Sequence, residues 1–299
     1  MRTGPEDKTL PGTVEEELYG SDLGVGAVIG DYVIEDLRSR GGFASVYRAK
    51  RASDGRLAAV KVLHYHLASS AVMTERFRQE ADTVNRIRHP NIVDILDFGE
   101  LRDGRPYFAM EWLSGRDLNE ELAKRGRFSP AEALHVVERL ADGLAAAHRV
   151  GVVHRDLKAS NVLLVSGEGG PIVKLVDFGI AKLLDSPGVK LTSTGTRLGT
   201  PHYMAPEQIL GEEVDARTDI YAFGVLLFNM LTGAFPFDSP SPVKIEEMHL
   251  RQAPPAPSTR VALSPAIDAV VLRCLHKLSA MRYPSADAVA ADFRAAVTG

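Results

Sequence analysis

The sequence predicts an α+β protein of two lobes: a small, antiparallel β-rich N-terminal lobe with one key helix, and a larger, mainly helical C-terminal lobe. Three observations carry this. Alternating apolar residues around a hairpin turn dominate residues 31–63, one helical stripe occupies 73–88, and helical periodicity takes over from Ser129 onward. A chain of 299 residues with 45% hydrophobic content can also bury more core than one average domain needs. The expected boundaries are a flexible extension at 1–28 and one domain at 29–299, divided into an N-lobe at 29–112, a hinge at about 111–115 and a C-lobe at 116–299.

The extension is polar, acidic and punctuated by Gly and Pro. Its Gly24, Gly26 and Gly30 imitate a dinucleotide-binding glycine pattern, but no strand precedes them and strand-like Tyr32-Val33-Ile34 follows where a helix should begin. Strands are expected at Tyr32–Leu37, Ser45–Ala49 and Leu57–Leu63, with Ser53-Asp54-Gly55 as a hairpin turn. Met73, Phe77, Ala81, Val84 and Ile87 form one helical stripe, and Glu80 lies on its side. An inward carboxylate needs a partner, because an unpaired buried charge is costly. Further strands are expected at Ile92–Phe98 and Tyr107–Trp112, turning at Gly104.

In the larger lobe, Ser129-Pro130-Ala131-Glu132 is a capping box with Pro at the first helical position, and Gly151 ends the helix it opens. Short apolar runs follow at Val162–Val165 and Val173–Val176. Later helices are expected at Asp219–Leu231 with Gly233 as stop, at 266–277 after Ser264-Pro265, and at 286–297 after Ser285.

Composition excludes several classes. A net charge of −4 argues against a nucleic-acid binder that meets phosphates with broad positive charge. The single Cys274 forms no intramolecular disulfide and reads as a small core hydrophobe. No apolar run reaches bilayer length and the first residues lack the apolar core of a signal peptide, so no membrane segment and a cytoplasmic location are expected.

Three short segments in fixed order carry the chemistry: His154-Arg155-Asp156-Leu157-Lys158-Ala159-Ser160-Asn161, then Asp177-Phe178-Gly179, then Ala205-Pro206-Glu207. Phosphoryl transfer asks a protein mainly to position reactants and neutralise charge, so lysines and metal-binding oxygens should dominate its site. Strand alternation puts Ala59 and Lys61 on one face, where Lys61 reaches phosphates and Ala59 leaves room for adenine. A lone strand lysine is ordinarily a solvated edge residue; the inward Glu80 reverses that reading. Asp177 closes an apolar run where an ion can sit, and Asn161 offers a second oxygen. Asp156 is then left to accept a hydroxyl proton, with Lys158 beside the migrating group. An isolated Asp-x-Lys would otherwise be a surface ion pair.

By these segments, residues from about 30 to 297 resemble the eukaryotic-like (Hanks-type) Ser/Thr protein kinases, most closely their bacterial branch. The resemblance implies the two-lobed protein kinase fold, ATP and Mg²⁺ (or Mn²⁺) as cofactors, and protein substrates bearing Ser or Thr. It assigns Lys61 to the α- and β-phosphates with Glu80 as its partner, Asp156 as base, and Asn161 and Asp177 as metal ligands. His154 and Phe178 would be packing elements. Ser39, Gly41, Gly42, Ala44 and Val46 would form the glycine-rich loop, and Ala59 and Leu163 join the nucleotide set. Met110 would lie behind adenine, Glu111 and Leu113 at the hinge, and Asp117 at the ribose. Lys158 and Thr200 point to Ser/Thr rather than Tyr specificity. Arg155 marks enzymes whose loop is ordered by phosphorylation, here at Thr196, Thr194, Thr192 or Ser193, with self-association allowing phosphorylation in trans. Glu207 with Arg282, and Asp219 with Gly224, would hold the lobe together.

The glycine-rich loop departs from the family pattern: only Gly41 is kept, Ser39 and Ala44 replacing the outer glycines. Added side-chain atoms and reduced backbone freedom are expected to slow nucleotide handling. Lys277-Leu278-Ser279 departs at a helix end. Two alternatives follow: a pseudokinase scaffold, favoured if ATP binds yet Asp156→Asn changes nothing, and a small-molecule phosphotransferase, against which the Thr-rich loop and Ala205-Pro206-Glu207 argue.

Overall fold

The structure is a computed structural model that describes residues 23–167, 171–178 and 201–299. Two compact units are present: residues through Arg78 with Ile95–Trp112, and Gln79–Asp94 with Leu113–Gly299. Residues 79–94, expected in the N-lobe, group with the larger unit. Hydrogen bonds explain this: Asn91 Nδ2 donates to Val173 O at 2.8 Å, Leu175 N to Asn91 O at 2.8 Å and Val93 N to Leu175 O at 3.0 Å.

The smaller unit is a six-stranded antiparallel sheet ordered β1-β2-β3-β4-β6-β5. Its strands are β1 (Val28–Ile29), β2 (Tyr32–Arg40), β3 (Ala44–Arg51), β4 (Leu57–Leu63), β5 (Ile95–Glu100) and β6 (Pro106–Glu111). One face buries Tyr32, Ile34, Tyr47, Val60, Val62 and Ala109 as a core. Val28, expected at the end of a flexible extension, pairs with Val33 of β2 instead, and Gly26 N donates to Ile34 O at 2.8 Å. Ile92 does not open a strand as expected. It makes a lone parallel bridge to Leu175, and β5 starts at Ile95. A short helix α1 (Tyr65–Ala68) precedes α2 (Ala71–Ile87), whose Met73, Phe77, Ala81, Val84 and Ile87 are all buried.

In the larger unit, β7 (Gly115–Asp117), β8 (Val162–Val165) and β9 (Ile172–Leu175) form a second antiparallel sheet. Helix α3 (Leu118–Arg125) leads to α4 (Pro130–Arg149), where Ser129 and Glu132 close the expected capping box. After α5 (Pro206–Leu210) comes α6 (Ala216–Thr232), buried on every side and so the centre of the unit. It runs from an Asp215 cap to Gly233, whose φ of 72° is the left-handed stop that glycine suits. Gly224 is needed for close approach: a Cβ there would lie 2.5 Å from Cys274 Cβ. That contact joins α6 to α8 (Pro265–Cys274), while α7 (Pro242–Arg251) and α9 (Ala286–Thr298) complete the helices of the described residues.

Glu207 in α5 and Arg282 lock this unit. Arg282 Nη1 donates to Glu207 Oε1 at 2.7 Å and Nη2 to Oε2 at 2.8 Å, with side chains 0% and 9% exposed. Thr218 Oγ1 donates to the same carboxylate, and Arg282 also donates to the Arg217 and Lys277 carbonyls. Burial by itself would raise the Glu207 carboxyl, but the hydrogen bonds and charge of Arg282 hold it below its ordinary value. Removing one partner of such a pair strands the other, so Arg282→Ala is expected to cost about 3–5 kcal/mol, read as a lowered urea midpoint.

Acid should weaken the fold through its buried histidines. Burial lowers His249, which hydrogen-bonds the Tyr221 hydroxyl at 2.8 Å, to about 3 from 6.5. His64 in the smaller unit is likewise lowered, to about 4. An unfolded chain takes up these protons near pH 6.5 while the folded chain does not, so stability is full above that value and falls as pH drops through it. Urea titrations at about pH 7.5, 6 and 5 should give a shallower pH slope for His249→Phe than for the wild type.

Candidate functional site

The sheet register gathers one set of the expected residues in the smaller unit. Val46 pairs with Lys61, Lys61 with Phe108, and Ala59 with Met110. Directly paired residues share a face, so Val46, Ala59, Lys61, Phe108 and Met110 line the side opposite the Tyr47–Val60 core. Lys61 Nζ lies 5.5 Å from the Phe108 ring centroid, and that ring packs on Phe77 at 4.9 Å. Glu80, on the expected face of α2, is buried.

The glycine-rich loop is the turn between β2 and β3. Gly41 N donates to Ala44 O at 2.9 Å, and a Cβ on Gly41 would lie 3.3 Å from that oxygen, which accounts for the glycine retained. Ser39 pairs with Val46 in the ladder and Ala44 is buried. Neither has a positive φ, so the expected backbone penalty at these two positions does not arise. The loop is braced from behind: His64 N donates to Phe43 O at 2.9 Å and the His64 ring hydrogen-bonds Ser45 Oγ at 3.1 Å.

In the larger unit, the segment from His154 to Asn161 is held by Asp219 of α6. The Asp219 carboxylate, 1% exposed, accepts the N–H of His154 at 2.8 Å and that of Arg155 at 2.9 Å, and lies 2.7 Å from His148 Nε2 of α4. Asp219 was expected to hold backbone amides here, while His148 carried no sequence signal because its partner lies 71 residues away. Lys158 Nζ donates to Asp156 Oδ2 at 2.9 Å, and Asn161 Nδ2 to the Asp156 carbonyl at 2.9 Å. His154 and Phe178 are fully buried with ring centroids 4.5 Å apart, and burial pushes the His154 imidazole down.

Two backbones here are left-handed without glycine: Arg155 at φ 64° and Asp177 at φ 54°. Each costs about 1–2 kcal/mol and persists only where surrounding contacts impose it. Val176 N donates to Asn161 O at 3.0 Å, which brings Asp177 next to Asn161. With its Nδ2 spent on Asp156, Asn161 keeps Oδ1 as a neutral oxygen beside a carboxylate. This hard-oxygen pair fits a divalent cation of the Mg²⁺ type.

Asp117, expected at a ribose, is the N-cap of α3 and accepts Glu120 N–H at 2.8 Å. Leu163 pairs with Asp117 and Lys174 across the second sheet, and Glu111 with Ala58 in the first. Gly42 lies in the β2–β3 turn, and Leu113 begins the second stretch of the larger unit. Thr192, Ser193, Thr194, Thr196, Gly179 and Thr200 lie outside the described residues. Gln208 was missed: its Nε2 donates to Arg155 O at 2.9 Å, a contact no local pattern announces.

Comparison with known proteins accords with this geometry. The chain is 39% identical over 270 residues to the serine/threonine-protein kinase pkn3 of Myxococcus xanthus, covering 88% of this chain and 49% of that one. It is 41% identical over 282 residues to the serine/threonine-protein kinase PksC of Streptomyces coelicolor, covering 89% and 50%. The chain thus spans about half the length of the curated relatives it matches. Among solved structures, the Mycobacterium tuberculosis PknI kinase domain superposes with a TM-score of 0.73 at 26% identity, covering 93% of this chain and 100% of that one. The family model for the protein kinase domain matches residues 33–293, and with these bacterial likenesses it follows that the chain belongs to the protein kinase family.

Proposed function

We propose that this chain transfers the γ-phosphoryl group of ATP to Ser and Thr hydroxyls of proteins, its own Thr192–Thr196 stretch among them. The observation that carries the reading is the Asp156 carboxylate 2.9 Å from Lys158 Nζ, in a loop whose backbone is pinned by Asp219 and Asn161. Asp156 accepts the proton of the attacking hydroxyl as its oxygen bonds to the γ-phosphorus. The bond to the β–γ bridging oxygen breaks and ADP leaves. Lys158 stabilises charge on the migrating group, and Lys61 holds the α- and β-phosphates, with Glu80 as the carboxylate assigned to that lysine. Val46, Ala59 and Met110 accommodate the adenine. Asn161 and Asp177 would hold Mg²⁺, which would supply positive charge to offset that of the phosphates. Protein acceptors fit the names of the relatives, all serine/threonine-protein kinases, and Lys158 supports the Ser/Thr assignment. Phosphorylation of one copy by another is the proposed route to the loop hydroxyls.

The test is intact mass with phosphosite mapping after incubation with ATP and Mg²⁺. The wild type should gain phosphates on Thr194, Thr196 or their neighbours. Asp156→Asn should lose about 10²–10⁴-fold in rate while still binding ATP, as removal of a general base predicts. Unmodified wild type with ATP bound would sink the reading in favour of a nucleotide-binding scaffold.

A further inference from the structure

Arg155 stands immediately before Asp156 with a φ of 64°, and its peptide groups are held from several sides. Its N–H donates to Asp219 Oδ1 at 2.9 Å. The next peptide plane carries the Arg155 carbonyl and the Asp156 N–H. That carbonyl accepts Gln208 Nε2 at 2.9 Å, and the N–H donates to His154 Nδ1 at 3.3 Å. The tilt of this plane sets where the Asp156 Cα–Cβ bond points. The other end of the Gln208 amide is also engaged: Oε1 accepts Ala205 N–H at 3.1 Å, and Gln208 N donates to Ala205 O at 3.0 Å. A side chain that donates and accepts at once is required here; Glu lacks the donor, and Leu lacks both.

We propose that Gln208 is a positioning residue for phosphoryl transfer: its amide clamps the Arg155 carbonyl, orients the Asp156 carboxylate, and ties that orientation to the turn at Ala205-Pro206-Glu207. The inference rests on the kinase reading above and adds to it a path of contact. Arg282 anchors Glu207, the neighbouring Gln208 holds Arg155, and Asp219 holds Arg155 from the opposite side. A displaced turn therefore withdraws the clamp from Asp156.

The decisive comparison is between Gln208→Glu and Gln208→Leu in the full chain. Glu keeps the length and the acceptor for Ala205 N–H but replaces the donor to Arg155 with a charged oxygen, so it both removes the bond and repels the carbonyl. Both variants should lower kcat by about 10–100-fold, with KM for ATP within about twofold of wild type and the thermal midpoint little changed. If Gln208→Glu keeps wild-type kcat while Gln208→Leu loses it, the residue merely caps the turn and the proposal fails. It fails too if kcat falls only in step with the folded fraction. Amide hydrogen exchange gives a readout independent of turnover: exchange at Arg155 and Asp156 should quicken about tenfold or more in Gln208→Glu, with distant helices unchanged. Should the wild type prove inactive, the kinase reading falls, and exchange alone decides the clamp; unchanged exchange overturns it.

Discussion

The carboxylate of Asp219 is the constraint on which the rest of the His154–Asn161 loop depends. A buried carboxylate must be satisfied by donors, and a loop that is neither helix nor strand has backbone N–H groups without partners. Each solves the other's problem: Asp219 accepts from His154 and Arg155, and His148 of α4 closes the set. Hydrogen bonds to a charged acceptor contribute about 1.5–3 kcal/mol each, enough to hold a left-handed arginine that would otherwise relax. The position of Asp219 is in turn set by α6, which has no solvated face on which to turn.

Strain and function are adjacent in this loop. Arg155 precedes the proposed base and Asp177 is a proposed metal ligand, and both occupy backbone regions that side chains disfavour. Arg88, at φ 40°, shares that conformation outside the site, so strain alone does not mark chemistry. What distinguishes Arg155 is over-determination, since both its N–H and its carbonyl are bonded by side chains from distant segments. Those segments are α5 and α6, and the Glu207–Arg282 pair fixes α5 against the loop at Lys277–Arg282.

In the smaller unit the controlling device is register. The β3–β4–β6 ladder places Val46, Ala59, Lys61, Phe108 and Met110 on one face and the apolar core on the other. A slip by one residue would exchange these faces, burying the lysine in the core. Ser39 and Ala44 show the limits of motif reading. A glycine pattern suggests a need for unusual backbone angles, whereas here the turn is closed by Gly41 and braced by His64, and the outer positions are ordinary strand.

The two-part α+β plan, the long helices α2, α4 and α6, most strands to within a few residues and the residues of the three motifs can be read along the chain. These are legible because period, caps and motif spacing are local properties of the chain. The helices α1, α3, α5 and α7 escaped; for α1, α3 and α5, of one or two turns, stability comes from packing rather than from pattern. Asp117 was expected at a ribose, while its role as the cap of α3 was not read. That 79–94 joins the larger unit, that His148 completes the Asp219 cluster and that Gln208 reaches Arg155 across 53 positions emerges only from the folded chain. Each of these is a hydrogen bond or packing contact between segments far apart in sequence, and such contacts exist only once the chain has closed the loops that bring them together.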